Sequence, residues 1–141
     1  MKIKLVSENA VVPTYGSGSA AGMDLYACDS YTIAPGETVL VHTGINMEIP
    51  YGYFGAIYPR SGLATKRGLR CANCVGVVDA DYRGEIMVAL HNDSATTQTV
   101  ELHDRIAQMV IQPYVRPQMF EVVNELSETE RGSGGFGHTG K

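Results

Sequence analysis

The sequence around residue 60 combines residue types that together can bind an anion. A predicted strand ends at Pro59, and a predicted helix begins directly after Arg60, at Ser61 and Gly62. Backbone N–H groups at a helix start, a hydroxyl and a guanidinium all suit a negatively charged ligand. The same residues would also suit a helix capped by the Ser61 hydroxyl with Arg60 in solvent. These residues alone leave both interpretations open.

A second unusual stretch follows residue 78, where an apolar run leads directly into polar residues. Gly76–Val78 precede Asp79, Asp81 and Tyr82. A carboxylate at the edge of an apolar strand is well placed to activate water, because partial desolvation raises its basicity. The alternative is a β-turn in which the aspartates hydrogen-bond their own backbone.

The glycine-rich tail over residues 131–140 is the third such stretch. Its letters match the dinucleotide-binding fingerprint and most of a Walker loop, but both motifs need a preceding strand and a following helix, which are not predicted here. What remains is an arginine, a serine and glycines whose backbone N–H groups can approach phosphate oxygens. A disordered tail is the alternative, and the presence of Arg131 and Phe136 disfavours it.

The three cysteines are too few for a disulfide framework, so we predict reduced thiols. Cys71 and Cys74 have the spacing of half a zinc knuckle or of a redox pair, but the partner pair is missing and no helix follows. We therefore predict that they are strand residues flanking a tight turn.

The bulk properties predict a single domain without a nucleic-acid or membrane role. The chain has 141 residues, a net charge of −4 and an isoelectric point near 5.5. A negative surface would repel a nucleic-acid backbone, so nucleic-acid binding is not expected. No run approaches the ~20 apolar residues that cross a bilayer, and the amino terminus lacks the apolar core of a signal peptide. We therefore expect an intracellular protein, in the cytoplasm or nucleus.

Short runs rich in Val, Ile, Tyr and Thr, separated by Gly, Pro, Asn or Asp, predict an all-β jelly roll or related β-sandwich. One short helix is predicted over Ser61–Arg67, and Gly68 ends it. Residues 1–125 are predicted to form the domain, and residues 126–141 a flexible arm too polar to order itself. The predicted strands are Ile3–Val6, Met23–Ala27, Tyr31–Ile33, Glu37–His42, Ile45–Ile49, Tyr53–Tyr58, Leu69–Cys71, Cys74–Val78, Ile86–Asn92, Thr97–Leu102, Ile106–Val115 and Phe120–Val123.

Five motifs, which span almost the whole chain, closely resemble those of the trimeric deoxyuridine triphosphatase (dUTPase) family. They are Ala21–Ala27, Pro59–Ala64, Gly76–Ile86, Arg105–Ile111 and Arg131–Gly140. The resemblance implies a jelly-roll homotrimer with three active sites between subunits, in which the arm of one subunit closes the site of another. It implies Mg²⁺-dependent hydrolysis of dUTP to dUMP and pyrophosphate by water attack on the α-phosphorus. That reaction limits uracil in DNA and supplies dUMP for dTMP synthesis.

The resemblance also implies roles for the polar residues. Asp79 matches the general base, and Asp24 matches the carboxylate that holds magnesium through water, with the metal mainly on the triphosphate. Phosphate contacts are implied for Arg60, Ser61, Gly62, Gln108, Arg131, Ser133, Gly134 and Gly135.

For the nucleoside, the resemblance points to a hairpin with its tip at Ala72 and Asn73, whose backbone reads the edge of uracil. Tyr82 would pack under the deoxyribose and leave no space for a 2′-hydroxyl, and Phe136 would stack over uracil. The implied base and sugar contacts are Asn73, Gly76, Val77, Val78, Tyr82, Met87, Phe136 and Gly137.

Two other functions are alternatives to dUTP hydrolysis. A dCTP deaminase shares the jelly roll and the trimer but needs a glutamate and a different pocket, and nothing in the sequence supplies that pattern. A nucleotide-binding trimer that signals without hydrolysis is disfavoured because both Asp24 and Asp79 are present.

Overall fold

The described part of the chain, residues 1–135 of a computed structural model, consists of short antiparallel strands and one helix. This confirms the predicted all-β sandwich of the jelly-roll type. The strands are β1 (Lys2–Leu5), β2 (Thr14–Tyr15), β3 (Met23–Tyr26), β4 (Tyr31–Ile33), β5 (Thr38–Glu48), β6 (Tyr53–Tyr58), β7 (Leu69–Cys71), β8 (Gly76–Val78), β9 (Glu85–Asn92), β10 (Gln98–Val100) and β11 (Arg105–Pro113), and the helix is α1 (Ser61–Arg67).

Two main sheets form the layers. One has the strand order β1-β5-β9-β7 and the other β2-β3-β11-β6-β8, while β4 and β10 form a separate ribbon. Residues alternate between inside and outside along each strand, as on β9, where Ile86, Val88 and Leu90 are buried and Met87 is exposed. The core lies between the layers and takes apolar side chains from both.

β5 is one long strand where the sequence predicted two. Thr43 and Gly44 look like a turn, but the pairing of β5 with β9 instead shifts register between His42 and Asn46. Gly44 has φ +70°, and a Cβ there would lie 2.7 Å from the Cβ of Ser7. The glycine therefore supports a bulge within a continuous strand.

The predicted strand Phe120–Val123 is wrong for the single chain, since no strand is described over these residues. The short edge strand β2 was not predicted. The other strand ends agree with prediction within two residues. A strand needs a partner as well as a favourable composition, and Phe120–Val123 has none within residues 1–135.

The turn at residues 72–75 also differs from prediction. β7 pairs with β9 and β8 pairs with β6, so the chain crosses from one sheet to the other here and does not form a hairpin. Cys74 lies in the turn and not in a strand, with φ +60° and its N–H donating to the Cys71 carbonyl at 3.1 Å.

Helix α1 has the predicted bounds, but the predicted cap is wrong. The N-cap residue is Arg60, with no side-chain hydrogen bond to the first turn, and Ser61 is already inside the helix. Gly68 ends the helix in the left-handed conformation, as predicted. No helix in residues 1–135 is long and apolar enough to cross a membrane.

Candidate active site

Three neighbouring strands bring together residues that are far apart in the sequence. β11 lies between β3 and β6, and Gln108 on β11 is the Cα partner of both Asp24 and Tyr58. Arg60 lies two residues beyond the end of β6. Three of the predicted residues, Asp24, Arg60 and Gln108, are therefore neighbours at one end of this sheet.

Asp24 forms the centre of an ionic cluster. Its Oδ1 lies 2.9 Å from Nε of Arg60 and its Oδ2 lies 3.3 Å from Nη1 of Arg105, and the residue is only 9% exposed. Nη1 of Arg60 also donates to the Arg105 carbonyl at 3.2 Å. Two guanidinium groups against one carboxylate leave an excess positive charge, which suits a phosphate. Asp24, Arg60, Arg105 and Gln108 are called the arginine cluster below.

Gln108 connects the arginine cluster to the start of α1. Its Nε2 donates to the Pro59 carbonyl at 3.0 Å. Its Oε1 lies close to Gly22, where a Cβ would come within 2.9 Å of it. Gly22 therefore leaves the space that the Gln108 side chain occupies. Ser61 and Gly62 are exposed beside this group, so the helix start is open to a ligand.

A cavity of about 250 Å³ beside β8 contains the predicted base and sugar residues of the described chain. Gly76 closely faces Asn73 and Ile57, since a Cβ there would lie 3.2 Å from a side-chain atom of each. Gly76 therefore leaves the space that these two side chains occupy. The predicted residues that line this β8 cavity are Asn73, Gly76, Val77, Val78, Asp79, Tyr82 and Met87.

Asp79 stands at one end of the β8 cavity, directly after the strand. Its carbonyl accepts a hydrogen bond from the Tyr82 N–H at 3.1 Å, so the backbone forms the turn that the sequence left as an alternative. Asp79 is exposed, and its carboxylate has no hydrogen-bond or ion-pair partner within residues 1–135. The turn and a catalytic carboxylate are therefore compatible, because the turn uses only main-chain groups.

Tyr82 folds back over its own turn. Its hydroxyl donates to the Glu85 carbonyl at 2.9 Å. The ring lies so near Gly84 that a Cβ on that residue would be 2.6 Å from Cζ. Tyr82 remains 42% exposed and lines the β8 cavity.

Asp79 and the arginine cluster lie at different places on the five-stranded sheet. Val78 pairs with Gly55 near the start of β6, whereas Arg60 follows the other end of β6. Five residues at about 3.3 Å each give roughly 16 Å along the strand. Asp24, which holds Arg60, lies three strands from β8, or roughly 14 Å across the sheet. The backbone positions of the two groups are therefore well separated within a single chain.

The described part of the arm does not join either group. Nε of Arg131 donates to the Gly134 carbonyl at 2.8 Å, and the Gly134 N–H donates to the Arg131 carbonyl at 3.1 Å. The hydrogen bonds described for Arg131, Gly132 and Gly134 thus stay within the arm, next to Ser133 and Gly135. Phe136 and Gly137, which complete the predicted base contacts, lie outside the described residues.

Two cysteines flank the turn beside the β8 cavity. Cys71 is buried, and burial, with a smaller contribution from nearby Cys74, raises the pKa of its thiol to about 11. Cys74 is exposed. Within residues 1–135, no three His, Cys, Asp or Glu side chains are grouped closely enough to hold a metal ion. The predicted metal residue, Asp24, is the one carboxylate in the arginine cluster.

Several residues of these two groups were not predicted. Arg105 lies in the fourth motif, but its pairing with Asp24 depends on strands far apart in sequence. Gly22 and Gly84 leave space for the side chains of Gln108 and Tyr82. Glu85 provides the carbonyl to which the Tyr82 hydroxyl donates. The only sequence signal for Gly22 and Gly84 was that they lie within the first and third motifs.

Comparisons with known proteins identify the family. The family model described as dUTPase matches residues 8–140. The chain is 48% identical to the deoxyuridine 5′-triphosphate nucleotidohydrolase of Nautilia profundicola over 141 residues, which cover 100% of this chain and 99% of that protein. It is 45% identical to the protein of the same name from Escherichia phage T5, covering 99% of this chain and 98% of that protein.

Solved structures give the same result for the fold. A dUTPase of Staphylococcus bacteriophage 80alpha bound to dUPNHPP superposes with a TM-score of 0.92 at 28% identity, covering 99% of this chain and 98% of that chain. A mutant dUTPase from phage phi11 of S. aureus, described with a structural Mg(II) ion, has a TM-score of 0.81 at 26% identity, covering 86% of this chain and 95% of that chain.

Proposed function

Because the chain belongs to the dUTPase family and is a dUTP-hydrolysing enzyme, we propose that it forms dUMP and pyrophosphate at sites shared between the subunits of a homotrimer. In each site the β8 cavity of one subunit holds the nucleoside and provides Asp79. The arginine cluster of a second subunit holds the phosphates.

The separation of Asp79 from the arginine cluster carries this proposal. A triphosphate bound at the arginine cluster lies too far from the Asp79 of the same chain for that carboxylate to act on its α-phosphorus. Pairing two chains brings together one copy of each group. A closed cyclic trimer then repeats the arrangement three times without leaving an unmatched surface.

The segment after β11 gives independent support for an assembly. Tyr114–Leu126 carries large apolar side chains with high exposure, among them Val115 at 93%, Phe120 at 85% and Val122 at 98%. Such a surface normally contacts a partner. We propose that this segment packs on another copy, where Phe120–Val123 can find the strand partner that it lacks within one chain.

For the chemistry, Asp79 accepts a proton from the water that attacks the α-phosphorus. Its exposed carboxylate, without a partner in the described chain, is free to orient that water. As the bond to the leaving pyrophosphate breaks, negative charge grows on the phosphate oxygens. Arg60, Arg131 and the N–H groups of Ser61 and Gly62 would stabilise that charge. The backbone of Ser133, Gly134 and Gly135 would add further donors once the arm closes.

Substrate selection follows from the shape of the β8 cavity. Backbone groups from Asn73 to Asp79 can pair with O4 and N3–H of uracil and refuse the reversed donor pattern of cytosine. Tyr82 forms the surface beneath the sugar, where a 2′-hydroxyl would lack space. In the closed site Phe136 and Gly137 cover the base.

Magnesium fits this site as an ion carried by the substrate. The arginine cluster contains one carboxylate, already paired with Arg60 and Arg105. Asp24 can therefore hold a hydrated Mg²⁺ through water but cannot provide a resident site, and the triphosphate must supply direct ligands. When bound, the ion neutralises phosphate charge and fixes the conformation of the triphosphate.

The direct test is pyrophosphate release from dUTP, dTTP, dCTP and UTP, measured side by side with and without magnesium. We expect release from dUTP at an enzymatic rate, strong dependence on magnesium, and little release from the other three nucleotides. Ammonia release from dCTP would indicate a deaminase. Binding of dUTP without pyrophosphate release would support a signalling role.

A further inference from the structure

Gly84 lies in the turn that carries Tyr82, and the tyrosine ring occupies the space that a side chain at residue 84 would need. A Cβ built on Gly84 would lie 2.6 Å from Cζ and 3.0 Å from Cε2 of Tyr82, and closer still to the hydroxyl oxygen. Atoms of these types do not approach within 3 Å without repulsion, so any side chain at residue 84 must displace the ring.

Backbone conformation does not explain this glycine. Gly84 is not among the glycines with positive φ, whereas Gly36, Gly44, Gly52, Gly68 and Gly132 are. An alanine could therefore adopt the Gly84 backbone without strain. The contact that excludes a side chain at residue 84 is the Tyr82 ring.

The rest of the turn is held firmly, so the ring is the part that would move. Oε1 of Glu85 accepts a hydrogen bond from the Gly44 N–H at 2.8 Å, and its Oε2 lies 2.8 Å from Nδ1 of His42. The Thr43 hydroxyl donates to the Ile86 carbonyl at 2.5 Å. These contacts attach the backbone after Gly84 to the bulge of β5, and the Tyr82 hydroxyl is in turn bonded to the Glu85 carbonyl.

We propose that Gly84 is a positioning residue that determines how far the Tyr82 ring extends into the β8 cavity. The Tyr82 ring lines the β8 cavity and is in close contact with residue 84, so a methyl group at residue 84 shifts the ring relative to the space for the sugar. This inference rests on the proposed function, in which Tyr82 packs under the deoxyribose. It extends that function by placing control of the sugar fit at a residue that does not touch the substrate.

The test is a double-mutant cycle with Gly84→Ala and Tyr82→Ala, assayed with dUTP and UTP. Gly84→Ala should lower kcat/KM for dUTP by about tenfold or more, mainly through KM, since a misplaced methyl group in a fitted pocket has an effect of this size. In the Tyr82→Ala background the same change should alter kcat/KM less than about twofold, because the group it displaces is absent. Gly18→Ala is the matched control, as a Cβ there meets nothing within 4 Å.

Each outcome decides the inference. Equal effects of Gly84→Ala in both backgrounds, or no effect in either, would overturn it. If Gly84→Ala fails to fold while the double variant folds, the clash with Tyr82 is supported, and if both fail to fold, Gly84 serves the backbone and the inference is wrong. Tyr82→Ala alone tests the separate claim about the sugar: an unchanged ratio of UTP to dUTP efficiency removes Tyr82 as the discriminator but leaves the cycle readable with dUTP.

Discussion

The arginine cluster and the β8 cavity are built in opposite ways. The arginine cluster has a nearly buried carboxylate paired with two arginines, and its members come from strands that are distant in sequence. The β8 cavity is lined mainly by one stretch of chain, residues 73–89, together with Leu40 and Ile57, and Asp79 at its end is exposed and without a partner in the described residues. The first group is complete within one chain. The second is open, as the proposed shared site requires of a surface that another subunit and the arm would cover.

The largest expected effect on turnover comes from Asp79, at the end of the β8 cavity. Asp79→Asn removes the general base but keeps the shape, so turnover should fall roughly 10²-fold or more while affinity for a non-hydrolysable dUTP analogue stays unchanged. The melting temperature should also stay the same, because the carboxylate has no partner within residues 1–135. Single-turnover rates and calorimetric binding check the two parts. Turnover within a few-fold of the parent would mean that the base is elsewhere.

The next effect concerns the arm that should cover the β8 cavity. Truncation before Arg131 should lower turnover between about 10- and 100-fold, since one lost hydrogen bond to a charged group costs about 1.5–3 kcal/mol. The oligomeric state and the melting temperature should hardly change, because the tail has few apolar groups to bury. Phe136→Ala should have a smaller effect than truncation. A truncated protein that melts much earlier would show that the arm is part of the fold.

Changes in the arginine cluster should lower stability as well as rate, whereas Asp79→Asn in the β8 cavity should lower rate alone. Asp24→Asn leaves Arg60 and Arg105 without their anion, and we expect a loss of about 2 kcal/mol in the free energy of unfolding, less than for a fully buried pair because Arg105 is half exposed. Phosphate binding should weaken as well, because Arg60 loses its orientation. Denaturant unfolding measures the first effect.

Asp93→Asn is the matched control for Asp24→Asn, since Asp93 pairs with Arg70 on the surface. The Arg70 guanidinium lowers the pKa of Asp93. The contribution of this pair is therefore present at neutral pH and is lost only as the pH falls below about 4. At pH 7 we expect the melting temperature to change little, as for other exposed pairs. A loss equal to that of Asp24→Asn would remove the distinction between the two carboxylates.

The difference between the two groups also explains what the sequence could predict. The β8 cavity is local, so Asn73, Gly76, Asp79 and Tyr82 could be assigned from one stretch. The bounds of α1 were predictable because Gly68 ends the helix. In contrast, the pairing of Arg105 with Asp24 depends on strand order.

The incorrect predictions concern one turn, one helix cap and one strand. Gly44 predicts a turn from sequence, but β9 pairs with both halves of β5, so the chain forms a bulge there. Ser61 is a residue type that favours the N-cap, but the backbone dihedral angles place the N-cap at Arg60. Phe120–Val123 has the composition of a strand but no strand partner within residues 1–135. For Gly44 and for Phe120–Val123 the outcome depends on strand pairing that local sequence does not specify.

The smallest effect should come from the thiols beside the β8 cavity. At pH 8 a small methanethiosulfonate reagent should label one thiol per chain, Cys74, which is exposed. Burial raises the pKa of Cys71 to about 11 and also raises that of Cys28, so both remain protonated and covered. Cys71 should react only as the pH rises towards 11. Labelled protein should show at most a few-fold increase in KM for dUTP, and fast labelling of two thiols at pH 8 would contradict the burial of Cys71.

The shared site is tested most directly by mixing chains that are defective at different groups. Asp79→Asn chains and Arg60→Gln chains should each be nearly inactive alone. If one site takes Asp79 from one subunit and Arg60 from another, random reassembly of equal amounts should restore about a quarter of the parental activity, because each intact group is drawn with a probability of about one half. Activity no higher than the sum of the separate variants, in trimers shown by mass spectrometry to contain both chains, would contradict the shared site and place both groups in one subunit.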